Sequence, residues 1–315
     1  DHRDLHSFPT RRSSDLKDIN DHEFVRHHNL MFCTKRATVK KSRFEQYARP
    51  RNNGLIAIKL LQNDEVIDVQ LTTGNDDIVI ANRNGRAIRF NENNVRVMGR
   101  GSIGVRGMRL DGDDDEAVGM LVLNCNEQLT EQQWRQLDQQ GEQDEFEQGT
   151  NETIQEEEDF EEQGNGENVD NPNEYPETNN NFNENILVVS EKGFGKRSAI
   201  KDYRLIKRGG KGVKTLNITD KTGKLIAIKA VTDNDDLMII NKSGITIRIP
   251  LASVKEQGRN TQGVTLINIK KNNEVISSVC KVEHVEEIDE ENEINNTNNQ
   301  NDNTENYDNN QASQE

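Results

Sequence analysis

Aromatic residues are scarce in this chain: one Trp, four Tyr and nine Phe among 315 positions. They do not interleave with the basic residues, which excludes a platform for stacking unpaired bases. Cysteine is scarcer still. Cys33, Cys125 and Cys280 stand far apart, with no C-x-x-C pair and no histidine at metal-ligand spacing. They read as buried or incidental thiols in a reducing compartment, the cytoplasm. No apolar run approaches the ~20 residues that span a bilayer, and no secretory signal is visible. No Gly-rich loop ends in Lys-Ser or Lys-Thr between a strand and a helix. Of six histidines, His2 and His6 lie in an atypical leader, His22, His27 and His28 lack partner spacing, and His284 begins the tail. Tyr47, Tyr175, Tyr203 and Tyr307 fall in loops or low-complexity stretches. No triad, metal cluster or catalytic pair assembles from this inventory.

A hydrophobic content of 31% and a mean hydropathy of -0.94 place a good part of the chain outside any packed core. The net charge of -16 argues against a polyanionic partner until it is partitioned. Residues 124–184 hold 19 Asp/Glu and one Arg, net -18. Residues 283–315 hold 11 Asp/Glu and no Lys or Arg, net -11. The remainder carries 39 basic and 26 acidic residues, net +13. A basic body therefore bears two acidic, Asn- and Gln-rich segments that read as a disordered insert and tail. They could compete with a polyanion for the body or act as inert spacers. A weak helical turn around Glu131 to Leu137, with Trp134, is the one element expected in the insert. Residues 1–16 fit neither the pattern nor the composition that follows. They resemble translated sequencing-adapter read-through and are set aside as a non-native leader, which points to a fragment lacking its own N-terminal part.

From Asn29 onward the signal is repetition. Four units align: Leu30–Thr72, Asp76–Leu123, Asn185–Thr232 and Asp235–Val282. Each opens with an apolar strand, as in Ile78-Val79-Ile80-Ala81. A polar turn follows, then an alternating strand such as Arg86-Ala87-Ile88-Arg89-Phe90, which together make a hairpin. About 15 residues after the hairpin a glycine introduces a third strand: Gly54, Gly104, Gly212 and Gly263. A last apolar strand closes each unit, as in Leu225-Ile226-Ala227-Ile228. Four strands repeated at this period predict an all-β, propeller-like array of four-stranded blades, with residues 17–123 and 185–282 each supplying two.

The frame around the third-strand glycine carries the charge. Arg100, Arg208 and Arg259 each stand four residues before it, and in the first unit Arg49 and Arg51 flank that slot. Arg106 follows Gly104 by two. A second basic position recurs on the hairpin's second strand: Lys40 and Lys41, Arg89, Lys196 and Arg197, Arg248. Cations at one place on every blade would land at intervals around a rim, as a phosphate backbone requires. The alternative is a solvated edge that discourages strand pairing. The densest stretch is Lys207-Arg208-Gly209-Gly210-Lys211-Gly212, whose glycines would bring bare N–H groups to an anion. With no stacking platform, duplex DNA held by its backbone is the partner this pattern favours.

The stretches Thr34-Lys35-Arg36-Ala37-Thr38-Val39-Lys40-Lys41, Val95 to Arg100, Gly104 to Leu110, Gly193 to Arg197 and Gly258 to Val264 resemble the C-terminal domain of the bacterial DNA gyrase A subunit, which is a type IIA topoisomerase component. The resemblance covers residues 17–123 and 185–282. It implies a β-pinwheel whose basic rim wraps duplex DNA and supports ATP-dependent negative supercoiling by the holoenzyme. Partners implied are the B subunit, together with the rest of the A subunit, in an A2B2 heterotetramer. No cofactor is implied here, because ATP and Mg2+ act elsewhere in that assembly. Lys207 to Gly212 match the family's signature box, with Ile206 where Gln is expected. The family places that box in its first blade, whereas here it falls in the third of four units. The nucleophilic tyrosine and breakage region are not in this sequence, so it is expected to bind DNA without cleaving it. The equivalent domain of topoisomerase IV and a protein-interaction propeller remain the alternatives.

Overall fold

The computed structural model describes residues 21–49, 52–123, 184–269 and 275–284. The leader, the Trp134 turn and nearly all of the acidic insert and tail therefore lie outside the described residues. A five-residue helix α1 (His22–Arg26), capped by the Asp21 carboxylate, precedes the first hairpin. The rest is sheet.

Each unit begins with a hairpin: β1 (Asn29–Thr34) with β2 (Thr38–Arg43), β4 (Asp77–Asn82) with β5 (Arg86–Asn91), β8 (Asn185–Ser190) with β9 (Phe194–Ala199), and β12 (Asp235–Asn241) with β13 (Thr246–Pro250). One device makes all four turns. The last residue of the first strand is Thr34, Asn82, Ser190 or Asn241. Its side-chain oxygen accepts the amide four residues on, from Thr38, Arg86, Phe194 or Ile245. The residue before that amide is left-handed, with φ of +59° at Ala37, +76° at Gly85, +83° at Gly193 and +86° at Gly244. Glycine suits that slot because it has no Cβ to strain, and Ala37 alone departs from it.

The closing strands are β3 (Val66–Thr72), β7 (Ala117–Leu123), β11 (Leu225–Val231) and β15 (Ile276–Glu283), each antiparallel to the first strand of its own unit. The short third strands are β6 (Val105–Arg106), β10 (Val213–Lys214) and β14 (Val264–Thr265). These do not join their own unit, as the repeat pattern suggests they would. β6 pairs with β2, β10 with β5 and β14 with β9, so each unit hands its third strand back to the preceding sheet. The sheets therefore run β3-β1-β2-β6, β7-β4-β5-β10, β11-β8-β9-β14 and β15-β12-β13. Leu55–Ile58, expected as the third strand of the first unit, forms no strand, and the fourth sheet has three strands among the described residues.

Three apolar clusters fill the gaps between successive sheets. Met31, Ile78, Ile88, Phe90 and Met120 lie between the first and second; Val79, Leu121, Ile186, Tyr203 and Leu216 between the second and third; Leu187, Val189, Leu237, Ile239 and Leu251 between the third and fourth. β3, β7, β11 and β15 pack one against the next. β6, β10 and β14 form the opposite, outer margin of their sheets. The all-β, propeller-like architecture is as the repeats imply.

Candidate nucleic-acid interface

The second-strand cations were expected on the rim, and most are not there. Lys40, Lys41, Arg89, Lys196 and Arg197 are all buried. In each case carbonyls of the next unit's loop accept from the cation, and for Lys40 a carbonyl of its own unit does so as well. Lys40 Nζ donates to Arg100 O at 2.6 Å and Ala57 O at 2.5 Å. Lys196 Nζ donates to Gly258 O at 2.7 Å, Arg259 O at 2.5 Å and Thr261 Oγ1 at 3.1 Å. Ile88 occupies the same register in the second unit and meets the glycine pair of the third unit's box, its Cδ1 3.7 Å from where a Gly210 Cβ would lie. That Lys–Ile alternation was the signal available in the sequence: a phosphate contact does not alternate with isoleucine, whereas a covered position does.

One residue on, the cations tie each sheet to the short 3-10 turn that follows in the next unit. Lys41 Nζ donates to Glu92 O at 2.9 Å and lies 3.6 Å from the buried Glu92 carboxylate. Arg89 donates to Asp77 Oδ2 from Nε at 2.9 Å and Nη2 at 2.6 Å, and from Nη1 to Tyr203 O at 3.2 Å. Arg197 Nε donates to Val254 O at 2.7 Å, and its Nη1 pairs with Asp233. Met98, Ile206 and Gln257 amides return bonds to the carbonyls of Lys41, Arg89 and Arg197. Arg248, the last of the series, has no following unit over it among the described residues; it is exposed and pairs with Asp236 at 2.6 Å. These residues are joints between blades.

The box of the third unit is likewise partly structural. Arg208 Nε donates to Asn94 O at 2.9 Å and Nη1 to Arg106 O at 3.1 Å. The Gly209 amide, expected to face an anion, donates to Gly107 O at 2.7 Å, and Gly210 O accepts from Arg109 N at 2.9 Å. Lys207 and Lys211 remain exposed, although Asp111, already 3.3 Å from Arg86, also lies 3.4 Å from Lys211. Arg100 and Arg259 are half-buried, Arg259 with Nη1 bonded to Lys214 O. Arg49 is exposed, and Arg51 lies outside the described residues.

The structure brings forward cations that sequence reasoning passed over. Arg96, Arg204 and Lys255 each stand eight residues before the third-strand glycine, and all three are exposed. Lys214 stands two after Gly212, as Arg106 does after Gly104, and both are exposed on the outer strands β6 and β10. Their register was countable in the sequence. What hid them was the density of cations at neighbouring positions.

Burial, reinforced by the nearby Arg259 charge, lowers the pKa of Lys196 to about 8, and burial with Arg100 does the same for Lys40. An unfolded lysine titrates near 10.4. Between those values the unfolded chain holds a proton that the folded chain has released, so raising the pH favours the fold. Below pH 8 the lysine is charged in both states and its contribution is flat. Compared with Lys196→Met, the wild-type chain should therefore gain stability from about pH 8 to 10.4, by at most about 1.4 kcal/mol per pH unit. Urea unfolding of both chains across that range checks this, and a constant difference would contradict it. Taking the difference cancels Cys33 and Tyr203, whose pKa values burial raises in both chains.

Comparison with known proteins places this geometry. The model of the DNA gyrase C-terminal domain, beta-propeller, matches residues 28–73, 76–124, 184–232 and 235–280. The DNA gyrase A subunit of Staphylococcus aureus (strain MRSA252) is 35% identical over 254 residues, covering 81% of this chain and 22% of that protein. The chain thus spans about a fifth of the length of the curated relatives it matches. A solved DNA gyrase A C-terminal domain superposes with a TM-score of 0.57 at 21% identity, covering 81% of this chain and 66% of that one. The C-terminal domain of DNA topoisomerase IV superposes with a TM-score of 0.59 at 20% identity, covering 82% and 62%. The four matched repeats coincide with the four sheet-forming units, and the chain belongs to the DNA gyrase C-terminal domain, beta-propeller family.

Proposed function

We propose that this chain binds and wraps duplex DNA along the outer margin of its sheets, as the C-terminal domain of a gyrase A subunit. The observation that carries the reading is the sorting of its cations. Those on the second strands, Arg248 excepted, turn inward and hold the blades together. Those eight before and two after the third-strand glycine, Arg96, Arg204, Lys255, Arg106 and Lys214, stay exposed at repeated places. Lys207 and Lys211 add to them at the second joint between blades. Such a series suits a backbone that passes from blade to blade, and it reads charge rather than base sequence. In the holoenzyme this wrap would present a segment for ATP-dependent negative supercoiling, its partners being the B subunit together with the rest of the A subunit. The Lys207–Gly212 box, intact but for Ile206 in the place of Gln, and the identity to gyrase A subunits favour gyrase over topoisomerase IV.

The test is a salt titration of the full chain with duplex DNA of random sequence. Affinity should fall by about a hundredfold or more between about 50 and about 200 mM salt, with little dependence on sequence. Binding that is absent at low salt, or indifferent to salt, would remove the wrapping reading.

A further inference from the structure

Two arginines span equivalent points in successive joints. Arg208, from the third unit, donates from Nε to Asn94 O at 2.9 Å and from Nη1 to Arg106 O at 3.1 Å. One guanidinium thus ties the short turn after β5 to the outer strand β6, both parts of the second unit. Arg259, from the fourth unit, donates from Nη1 to Lys214 O at 3.2 Å, and its guanidinium carbon stands 6.0 Å from the centre of the Tyr203 ring. Tyr203 closes the turn Ile200–Asp202 after β9, and Lys214 lies on β10, so the same two parts of the third unit are tied. Both arginines stand four residues before their own third-strand glycine, and both are half-buried.

Each reaches the backbone of a residue in the exposed series. Arg106 and Lys214 end strands of only two residues. A strand that short makes few ladder bonds. Each lies at the margin of its sheet with a strand partner on one side, Thr38 for Arg106 and Arg86 for Lys214. The next unit takes the other side. Besides the arginine, Gly210 O accepts from Arg109 N at 2.9 Å and Thr261 O from Asn217 N at 3.1 Å, three residues further along in each case. A cation whose backbone is fixed on both sides has only its side-chain rotamers to lose when it meets a phosphate.

We propose, on the wrapping reading above, that Arg208 and Arg259 are positioning residues for DNA. Each holds the contact cation of the preceding unit, Arg106 and Lys214 respectively, where a phosphate meets it. Every such contact is then built by three successive units. Arg106 belongs to the second, is seated on the sheet of the first, and is held by an arginine of the third. The planar fork accounts for the residue type. Nε and Nη1 of Arg208 reach the turn and the outer strand at once, whereas a lysine would carry the same charge on a single point.

The experiment is duplex binding by the full chain across a range of salt, with Arg208→Lys, Arg106→Gln and the two combined. Arg208→Lys keeps the charge and should still lower the log–log slope by about one, as loss of the Arg106 contact does. The combination should lower it no further. Arg208→Lys combined with Lys214→Gln should lower it by about two, because Arg259 and not Arg208 holds Lys214. Arg259→Lys with Lys214→Gln repeats the cycle at the next joint. An unchanged slope in Arg208→Lys overturns the proposal, and so do losses that add for Arg208 with Arg106. A slope that falls by several units, with a lowered melting temperature, would make Arg208 a support of the whole fold and also overturns it. A wild-type chain without salt-dependent binding removes the wrapping reading itself. Additive losses in a chain that binds remove only the positioning role.

Discussion

Replacing Arg89 with alanine is expected to lower the unfolding free energy by about 3–5 kcal/mol, the cost of leaving a buried carboxylate without its cation. Arg89 and Asp77 are both buried, and both Nε and Nη2 converge on one Asp77 oxygen. The third guanidinium nitrogen reaches Ile200 O and Tyr203 O, the turn by which the third unit sits on the second. Truncation therefore leaves buried Asp77 without its cation and removes a donor from Ile200 O and Tyr203 O at the same time. Arg248→Ala is the internal comparison. It occupies the same register and pairs with the equivalent carboxylate Asp236, but its side chain is 41% exposed and Asp236 keeps His284 Nδ1 at 2.9 Å. Its removal should cost no more than about 1 kcal/mol. Urea denaturation of the two variants beside wild type decides the matter. Similar losses from both would mean that the next unit's cover contributes nothing to Arg89, and the assignment of the second-strand cations as joints would fail.

That contrast also shows what could and could not be read from the amino-acid order. The hairpins were legible, because apolar runs such as Ile78–Ala81 and the oxygen-bearing turn residues Asn82 and Asn241 act on neighbours within a few positions. The glycine before each third strand was legible for the same reason. Which sheet that strand would join was not. Val213 lies between the hairpin and closing strand of its own unit, and nothing local reveals that Ala87, far upstream, receives it. The misplacement of Lys40, Lys41, Arg89, Lys196 and Arg197 follows from that one error. If each unit kept its own third strand, the second-strand side chains would face solvent. Because the next unit folds over them, they are enclosed and must be satisfied by its carbonyls. Arg96, Arg204 and Lys255 were countable at a fixed offset, yet only their exposure in the folded chain separates them from the inward-facing set.

Reversing Lys207, Lys211 and Lys214 together to glutamate is expected to weaken duplex binding by about a hundredfold to a thousandfold at low salt, through the loss of phosphate contacts and the repulsion that replaces them. Arg208 is left out deliberately. Its guanidinium bridges Asn94 O and Arg106 O, so reversing it would disturb the joint between the second and third units and confuse folding with binding. The three lysines are exposed, and Lys211 has the Asp111 carboxylate 3.4 Å away. Asp111 competes with phosphate for Lys211, which makes Lys207 and Lys214 the larger contributors. The control is the same reversal at Lys192, Lys221 and Lys242, exposed residues in the turns at 190–193, 219–223 and 241–244. Both triple variants change the net charge from -16 by the same amount, so a ligand attracted only by the overall field would lose affinity equally from each. A phosphate backbone following the outer strands would lose it from the first variant alone. The salt dependence should separate them as well, with a shallower log–log slope after the first reversal and an unchanged slope after the second. Equal losses with equal slopes would make the repeated cations a solvated margin that only discourages edge pairing, and the DNA track would have to be sought elsewhere on the chain.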